Sequence, residues 1–308
     1  MKKQNLLFPT ISGLLLAIIA LCFVFTDRVA FAQRARVVEK TGASSPAMNN
    51  GGASVNTSVS SRFAAAALTN RQLRNSMRWN FGGRVHSGWE IYVPLISQTI
   101  GTDAAPDSAE FAAALSKWQA KNGFDSDGVC NDATLGAMTR YWQSQRLGRS
   151  NVPQTDRLLS TPINEWYDVT RNPDLLQLER ETYAAYKRMI AAAAKDLGGS
   201  IKFTATGDLA PGEKYLRIVS AFRSPEYQAA LRRKEPGAGR IALAKSSPHF
   251  TGQAIDIYVG GEPVTTKDAN RLIQVQTPAY RWLVKNAHRF GFVNYFYEPW
   301  HWEYVGVR

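Results

Sequence analysis

The chain has 308 residues, 44% of them hydrophobic and 20% charged, enough apolar content for globular folding and enough length for two modest domains. A formal net charge of +12 draws such a chain to anionic surfaces, cell-wall polymers or phospholipid headgroups, through long-range and salt-sensitive forces. Cys22 and Cys130 are its two cysteines, so a disulfide-stapled scaffold is excluded, and the fold must rest on packing and on any metal it holds.

Lys2 and Lys3 precede an apolar run over residues 6–25, and Ala30-Phe31-Ala32 forms an A-x-A site before Gln33. Residues 1–32 therefore read as a signal peptide or a membrane anchor. Pro9, Thr10 and Ser12 shorten the purely apolar part to signal-peptide length, which favours cleavage. Leu21 is too large for a lipoprotein cleavage site before Cys22. Both readings export the remainder to the periplasm, cell wall or exterior, with membrane attachment only through an uncleaved N-terminal segment. Export removes nucleic acid from the expected partners of a basic chain.

Residues 33–70 are rich in Gly, Ala, Ser and Asn and read as a disordered linker, with structure resuming between Leu68 and Trp79. Over 71–150 a small all-α domain is expected. Phe111, Leu115 and Trp118 fall at helical spacing, and Leu135, Met138 and Trp142 repeat it. Asn122-Gly123 and Asp127-Gly128 are turn dipeptides, and Asn131 or Asp132 is placed to cap the second helix. Trp118-Gln119 and Trp142-Gln143 flank Gly123-Phe124, Asp127-Gly128-Val129 and Thr134, a pattern that resembles the three-helix peptidoglycan-binding domain. Where that family commonly has Gly after the apolar residue, this chain has Cys130-Asn131-Asp132. The two tryptophans read equally as a binding surface or as core.

Residues 151–308 form the second expected domain. The pattern predicts a helix over 174–197, a strand over 215–220, a helix over 226–234, a loop over 237–246, a strand over 254–259, a helix over 277–289 closed by Gly291, and strands in the last fifteen residues. In the 254–259 strand Ile255, Ile257 and Val259 alternate with Ala254, Asp256 and Tyr258, so a rigid strand displays Asp256 on the face opposite the apolar residues. Gly252 permits the bend that would return His249 over that strand, and small Ala254 leaves it room. His301 lies three residues after Glu298, opposite faces on an ideal strand, but Pro299 breaks the regularity and lets both turn to one point. Two imidazoles, a carboxylate ligand and a spare carboxylate make up a catalytic zinc site.

The segments Ser247-Pro-His249-Phe-Thr-Gly252-Gln-Ala254-Ile-Asp256 and Glu298-Pro-Trp-His301 resemble the LAS group of zinc peptidases, specifically its VanY-like D-Ala-D-Ala carboxypeptidases, over about residues 160–308. The resemblance implies an α+β fold with a small antiparallel sheet and flanking helices. It implies Zn2+ held by His249, Asp256 and His301, and Glu298 as general base and acid. The family's Tyr-Arg-Ser stands here as Phe222-Arg223-Ser224, with Arg223 serving the oxyanion or a substrate carboxylate, and Gln228 and Ser247 as hydrogen-bonding helpers. The expected substrates are peptidoglycan stem peptides cut by a DD-carboxypeptidase. LD-carboxypeptidase or endopeptidase activity shares the chemistry, and a wall-binding or signalling module with structural zinc is the non-enzymatic alternative.

Overall fold

The computed structural model describes residues 53–147, 155–234 and 247–307. The leader expected over 1–32, the first part of the expected linker and the expected 237–246 loop lie outside the described residues.

The first described element, helix α1 (Ala53–Ser76), runs through what reads as the second part of a linker. The small residues that mimic low complexity are what let this helix approach its neighbour. Phe63 and Ala66 bury against Ala112, and the buried Asn70 amide donates to the Gly128 carbonyl at 2.9 Å while accepting from the Cys130 N–H at 2.8 Å. Gly128 has φ +74, and a Cβ there would meet the Ala112 carbonyl at 2.6 Å. A two-strand hairpin follows, β1 (Arg78–Phe81) with β2 (Arg84–Ser87), turned by Gly82 and Gly83.

Three helices come next: α2 (Val93–Ile100), α3 (Ala109–Lys121) and α4 (Asp132–Ser144). Ser108 caps α3, and Asn131 rather than Asp132 caps α4, accepting from the Thr134 N–H. Trp142 is core: its indole donates to Thr99 Oγ1 at 2.9 Å and its ring lies 5.8 Å from that of Phe296. Trp118 is half-buried and stacks on Phe124.

The C-terminal region opens with a short antiparallel pair, β3 (Leu158–Ser160) and β4 (Gln177–Glu179), before helix α5 (Arg180–Leu197). The helix starts later than its apolar periodicity suggests because Pro173 opens a single 3-10 turn and Glu179 then caps α5 by accepting from the Thr182 N–H. The remaining elements are β5 (Ile218–Ser220), α6 (Pro225–Lys234), β6 (Ala254–Ile257), α7 (Asp268–Gln276), α8 (Pro278–Asn286), β7 (Phe292–Asn294) and β8 (His301–Tyr304). Four of them make an antiparallel sheet in the order β5-β6-β8-β7. Helix α7 does not stand out in the sequence, since its buried face includes Asn270, Arg271 and Gln274.

The α+β expectation holds. The two expected domains, however, share one continuous core: Trp89, Tyr92, Ile96, Phe111, Leu135, Met138 and Trp142 belong to the same buried cluster as Ile255, Tyr280, Phe296 and Trp302.

Candidate metal centre

Strand pairing sets the first two candidate ligands side by side. Asp256 on β6 is directly opposite His301 on β8, and Ala254 is directly opposite Glu303. Because strand side chains alternate with period two, Asp256, His301 and Glu303 project from one face. A small alanine opposite Glu303 leaves that carboxylate room beside the imidazole.

His249 arrives from a single 3-10 turn, Pro248–Thr251, which ends at Gly252 with φ 68°. Gly252 is required by space as well as conformation, since a Cβ would lie 3.0 Å from the Glu179 nitrogen, which donates to the Gly252 carbonyl. The His249 carbonyl in turn accepts from the Arg223 N–H at 3.2 Å. Ser247 caps this turn, its hydroxyl accepting from the His249 N–H at 3.3 Å.

Each imidazole uses one ring nitrogen for an anchor and keeps the other for the site. His249 Nδ1 donates to the Ala221 carbonyl at 2.7 Å, leaving Nε2 3.3 Å from Asp256 Oδ1. His301 Nε2 donates to Glu303 Oε1 at 3.1 Å, leaving Nδ1 2.9 Å from the same Asp256 oxygen. One ligand atom from each of His249, Asp256 and His301 lies within 4.8 Å of the others, and all three residues are buried.

Burial, with the positive charge of Arg223, lowers His249 to about 4, so it is neutral at physiological pH. Its Nε2 lone pair then faces a carboxylate oxygen, an arrangement that a cation between the two acceptors would stabilise. Burial opposes ionisation of Asp256, yet the adjoining imidazoles hold its carboxyl well below the usual range. For His301 burial also disfavours charge, but the bonds to Asp256 and Glu303 outweigh it and raise the group to about 9. A divalent ion would take the place of that proton, since ligating imidazole must be neutral. The donor set, two nitrogens and a carboxylate oxygen with outer hydrogen bonds orienting both rings, fits zinc.

Glu298 sits in the turn between β7 and β8 that Pro299 interrupts. Its N–H donates to the Tyr295 carbonyl at 2.8 Å and its carbonyl accepts from the His301 N–H at 2.9 Å. It is buried, which raises its carboxyl to about 7; His301 pulls it down and Asp256 pushes it up. It thus stays within electrostatic reach of the triad without belonging to it.

Of the expected helpers, Ser247 bonds the backbone of His249 and Arg223 bonds the Asp256 carboxylate. Arg223 Nη2 donates to Asp256 Oδ2 and its Nε to Ser220 Oγ, both at 2.9 Å. Gln228 is buried one turn into α6.

Three further residues reach the site without having been singled out in the sequence. Glu303 is fully buried and bonded to His301; period-two alternation from His301 is a signal that points to it. Arg171 lies over the Trp166 ring, donates through Nη1 to the Val219 carbonyl, and has a buried Nε with no hydrogen-bond partner among the described residues. It is within electrostatic reach of Arg223, Tyr227 and Asp256. Arg146, just beyond α4, bonds Glu303 from 157 residues away in the chain, a contact no local pattern announces.

Residues 175–307 match the model of the VanY family, D-alanyl-D-alanine carboxypeptidase. A D-alanyl-D-alanine carboxypeptidase of Enterococcus faecalis (strain ATCC 700802 / V583) is similar, 29% identical over 100 residues that make up 29% of this chain and 33% of the relative. The matched stretch thus spans about a third of that relative's length. The match contains His249, Asp256, Glu298 and His301 and leaves the helices before residue 175 outside it, so the similarity to the VanY family is confined to the C-terminal region of this chain.

Proposed function

We propose that the chain is an exported, zinc-dependent D-alanyl-D-alanine carboxypeptidase that removes the terminal D-alanine of peptidoglycan stem peptides. The observation that carries this reading is the convergence of three buried donor atoms within 4.8 Å beside a separate, unligated carboxylate, Glu298, inside the region that matches the VanY family. A structural zinc site is usually closed by a fourth protein ligand, whereas a catalytic one keeps a position open and needs a base.

When bound, zinc supplies a Lewis acid that polarises a peptide carbonyl and makes water a nucleophile near neutral pH. His249, Asp256 and His301 hold it, with Ala221 and Glu303 fixing the two rings. Glu298, poised near neutrality by burial, accepts the proton of the attacking water and returns it to the leaving amine. Arg223 holds the outer oxygen of Asp256 and places positive charge beside the developing oxyanion. Arg171 supplies a second guanidinium to receive the substrate's terminal carboxylate, and Ser247 and Gln228 serve as hydrogen-bonding helpers. The basic charge of +12 favours the anionic wall polymers among which such a substrate lies.

The test is incubation of the purified protein with muropeptides, with and without a chelator, followed by mass analysis. Loss of one alanine from pentapeptides, abolished by chelation and restored by zinc, is the expected result. Cleavage confined to tetrapeptides or to cross-bridges would replace the DD assignment with an LD or endopeptidase one. No cleavage of any muropeptide by zinc-loaded protein would leave a structural metal in a binding or signalling module.

A further inference from the structure

We propose that Arg146 is a positioning residue for the metal ligand His301, so that the helical region before the VanY-matching region is a working part of the metal centre. The proposal rests on the reading that the triad binds a divalent metal. Arg146 Nε donates to Glu303 Oε1 at 2.9 Å, and its Nη2 makes a second bond to the same oxygen. The N–H of the next residue, Leu147, donates to Glu303 Oε2 at 2.8 Å. Both oxygens of a fully buried carboxylate are thereby clamped from one short segment, and Oε1 accepts the His301 Nε2 proton at 3.1 Å.

A second contact reaches the same imidazole. The Arg146 guanidinium lies 3.8 Å from the Tyr295 ring centroid, and that ring packs edge-on to His301 at 6.1 Å. Gln143, on α4, accepts from Arg146 Nη1 at 3.0 Å and holds the guanidinium from behind. The segment therefore touches two immediate neighbours of His301. Glu303 is the group that directs Nδ1 of His301 into the site. A carboxylate buried this deeply needs partners that supply hydrogen bonds and positive charge, and Arg146 with the Leu147 N–H supplies both from outside the sheet. Outer partners of metal-ligating histidines typically change metal affinity by about 10–100-fold when removed.

The experiment measures zinc affinity of the metal-free full-length chain by competition with a chromophoric chelator, together with the visible spectrum of the cobalt-substituted protein. Arg146→Ala is expected to weaken zinc by roughly 10–100-fold and to alter the cobalt bands, with Arg146→Lys recovering part of the loss. Glu303→Gln should show a loss of similar size. The double variant Arg146→Ala/Glu303→Gln should lose no more than Glu303→Gln alone, because the arginine acts through the carboxylate. Should Arg146→Ala fail to fold with Glu303 left unpaired, the double variant, which removes both charges, still reads the coupling against Glu303→Gln. Wild-type zinc affinity and cobalt spectrum in the Arg146 variants, or additive losses in the double variant, would overturn the proposal. Failure of the wild-type chain to bind zinc, with His249→Ala no different, would overturn the metal reading itself and the positioning role with it.

Discussion

The helical region and the four-stranded sheet each bury a cluster of polar side chains, and the two clusters are built in opposite ways. In the helices, the Gln119 amide donates to Asp127, Thr134 and the Val129 carbonyl, and its oxygen accepts from the Gly128 N–H. Every contact closes within fifteen residues, so the cluster consumes its own hydrogen-bonding capacity and fixes a turn. In the sheet, Ala221 and Glu303 anchor the outer nitrogens of His249 and His301, and the inner atoms crowd onto one oxygen of Asp256. A polar cluster that satisfies itself is a staple; one that turns lone pairs toward a common point is a site for a cation.

The contrast breaks most sharply on truncation. A chain beginning at residue 155 would lose Trp89, Phe111, Met138 and Trp142 from the shared core and the Arg146 clamp from Glu303. We expect it to show no cooperative thermal unfolding transition; a truncated domain that melts cooperatively and binds zinc as the full chain does would show that the two regions are independent.

Glu298→Gln comes next. Turnover on pentapeptide should fall by about 10²–10⁴-fold, the usual worth of a positioned acid-base group, with zinc affinity near wild type. Its effect on stability has the opposite sign. In the folded, metal-free protein Glu298 titrates near 7, against about 4.3 in an unfolded chain. The folded state therefore holds this proton more tightly, and that contribution is present below the unfolded value and lost as pH rises through about 7. With chelator present, Glu298→Gln should match wild type near pH 4 and exceed it at pH 8, by on the order of 1–3 kcal/mol. Equal melting curves at both pH values would show that the carboxyl is not desolvated.

In the helical region, Trp142→Ala should cost about 3–5 kcal/mol, the range for emptying a large aromatic from a core, and shift the chemical denaturation midpoint without changing the metal spectrum. A near-neutral result, joined to lost sedimentation with insoluble peptidoglycan, would make Trp142 a binding-surface residue. The smallest effect expected is that of Arg171→Ala. One lost charge-assisted hydrogen bond is worth about 1.5–3 kcal/mol, so KM for pentapeptide should rise by at least roughly tenfold with kcat less affected; a fall confined to kcat would place Arg171 on the transition state instead.

The candidate ligands of the sheet were legible as a cluster because each is encoded locally: alternation displays Asp256, Gly252 turns the chain back, and Pro299 interrupts the strand register before His301. The alternation that exposes His301 also implies Glu303, a consequence easily missed when attention stops at the ligands. The helical region was legible as helices and capped turns but not in its relations. The alanines of α1 resemble linker composition until their packing partner Ala112 is known, and Arg146 meets Glu303 only through tertiary folding. Helix α7 hides for a related reason, because its buried Arg271 bonds through its terminal nitrogens to Tyr92, the Tyr297 carbonyl and Asp268 rather than packing against apolar neighbours alone. Arg223 reads first as a catalytic or carboxylate-binding group, with a structural ion pair as the lesser alternative; the structure pairs it with Asp256, a candidate ligand.

The most direct test of the account is stoichiometric reconstitution. Metal-free full-length protein would be titrated with zinc while D-alanine release from pentapeptide muropeptide is followed. The account predicts that activity rises linearly and saturates at one zinc per chain, and that His249→Ala and Asp256→Ala abolish the saturable rise. Full activity in metal-free protein, or a titration unaffected by either ligand substitution, would contradict it.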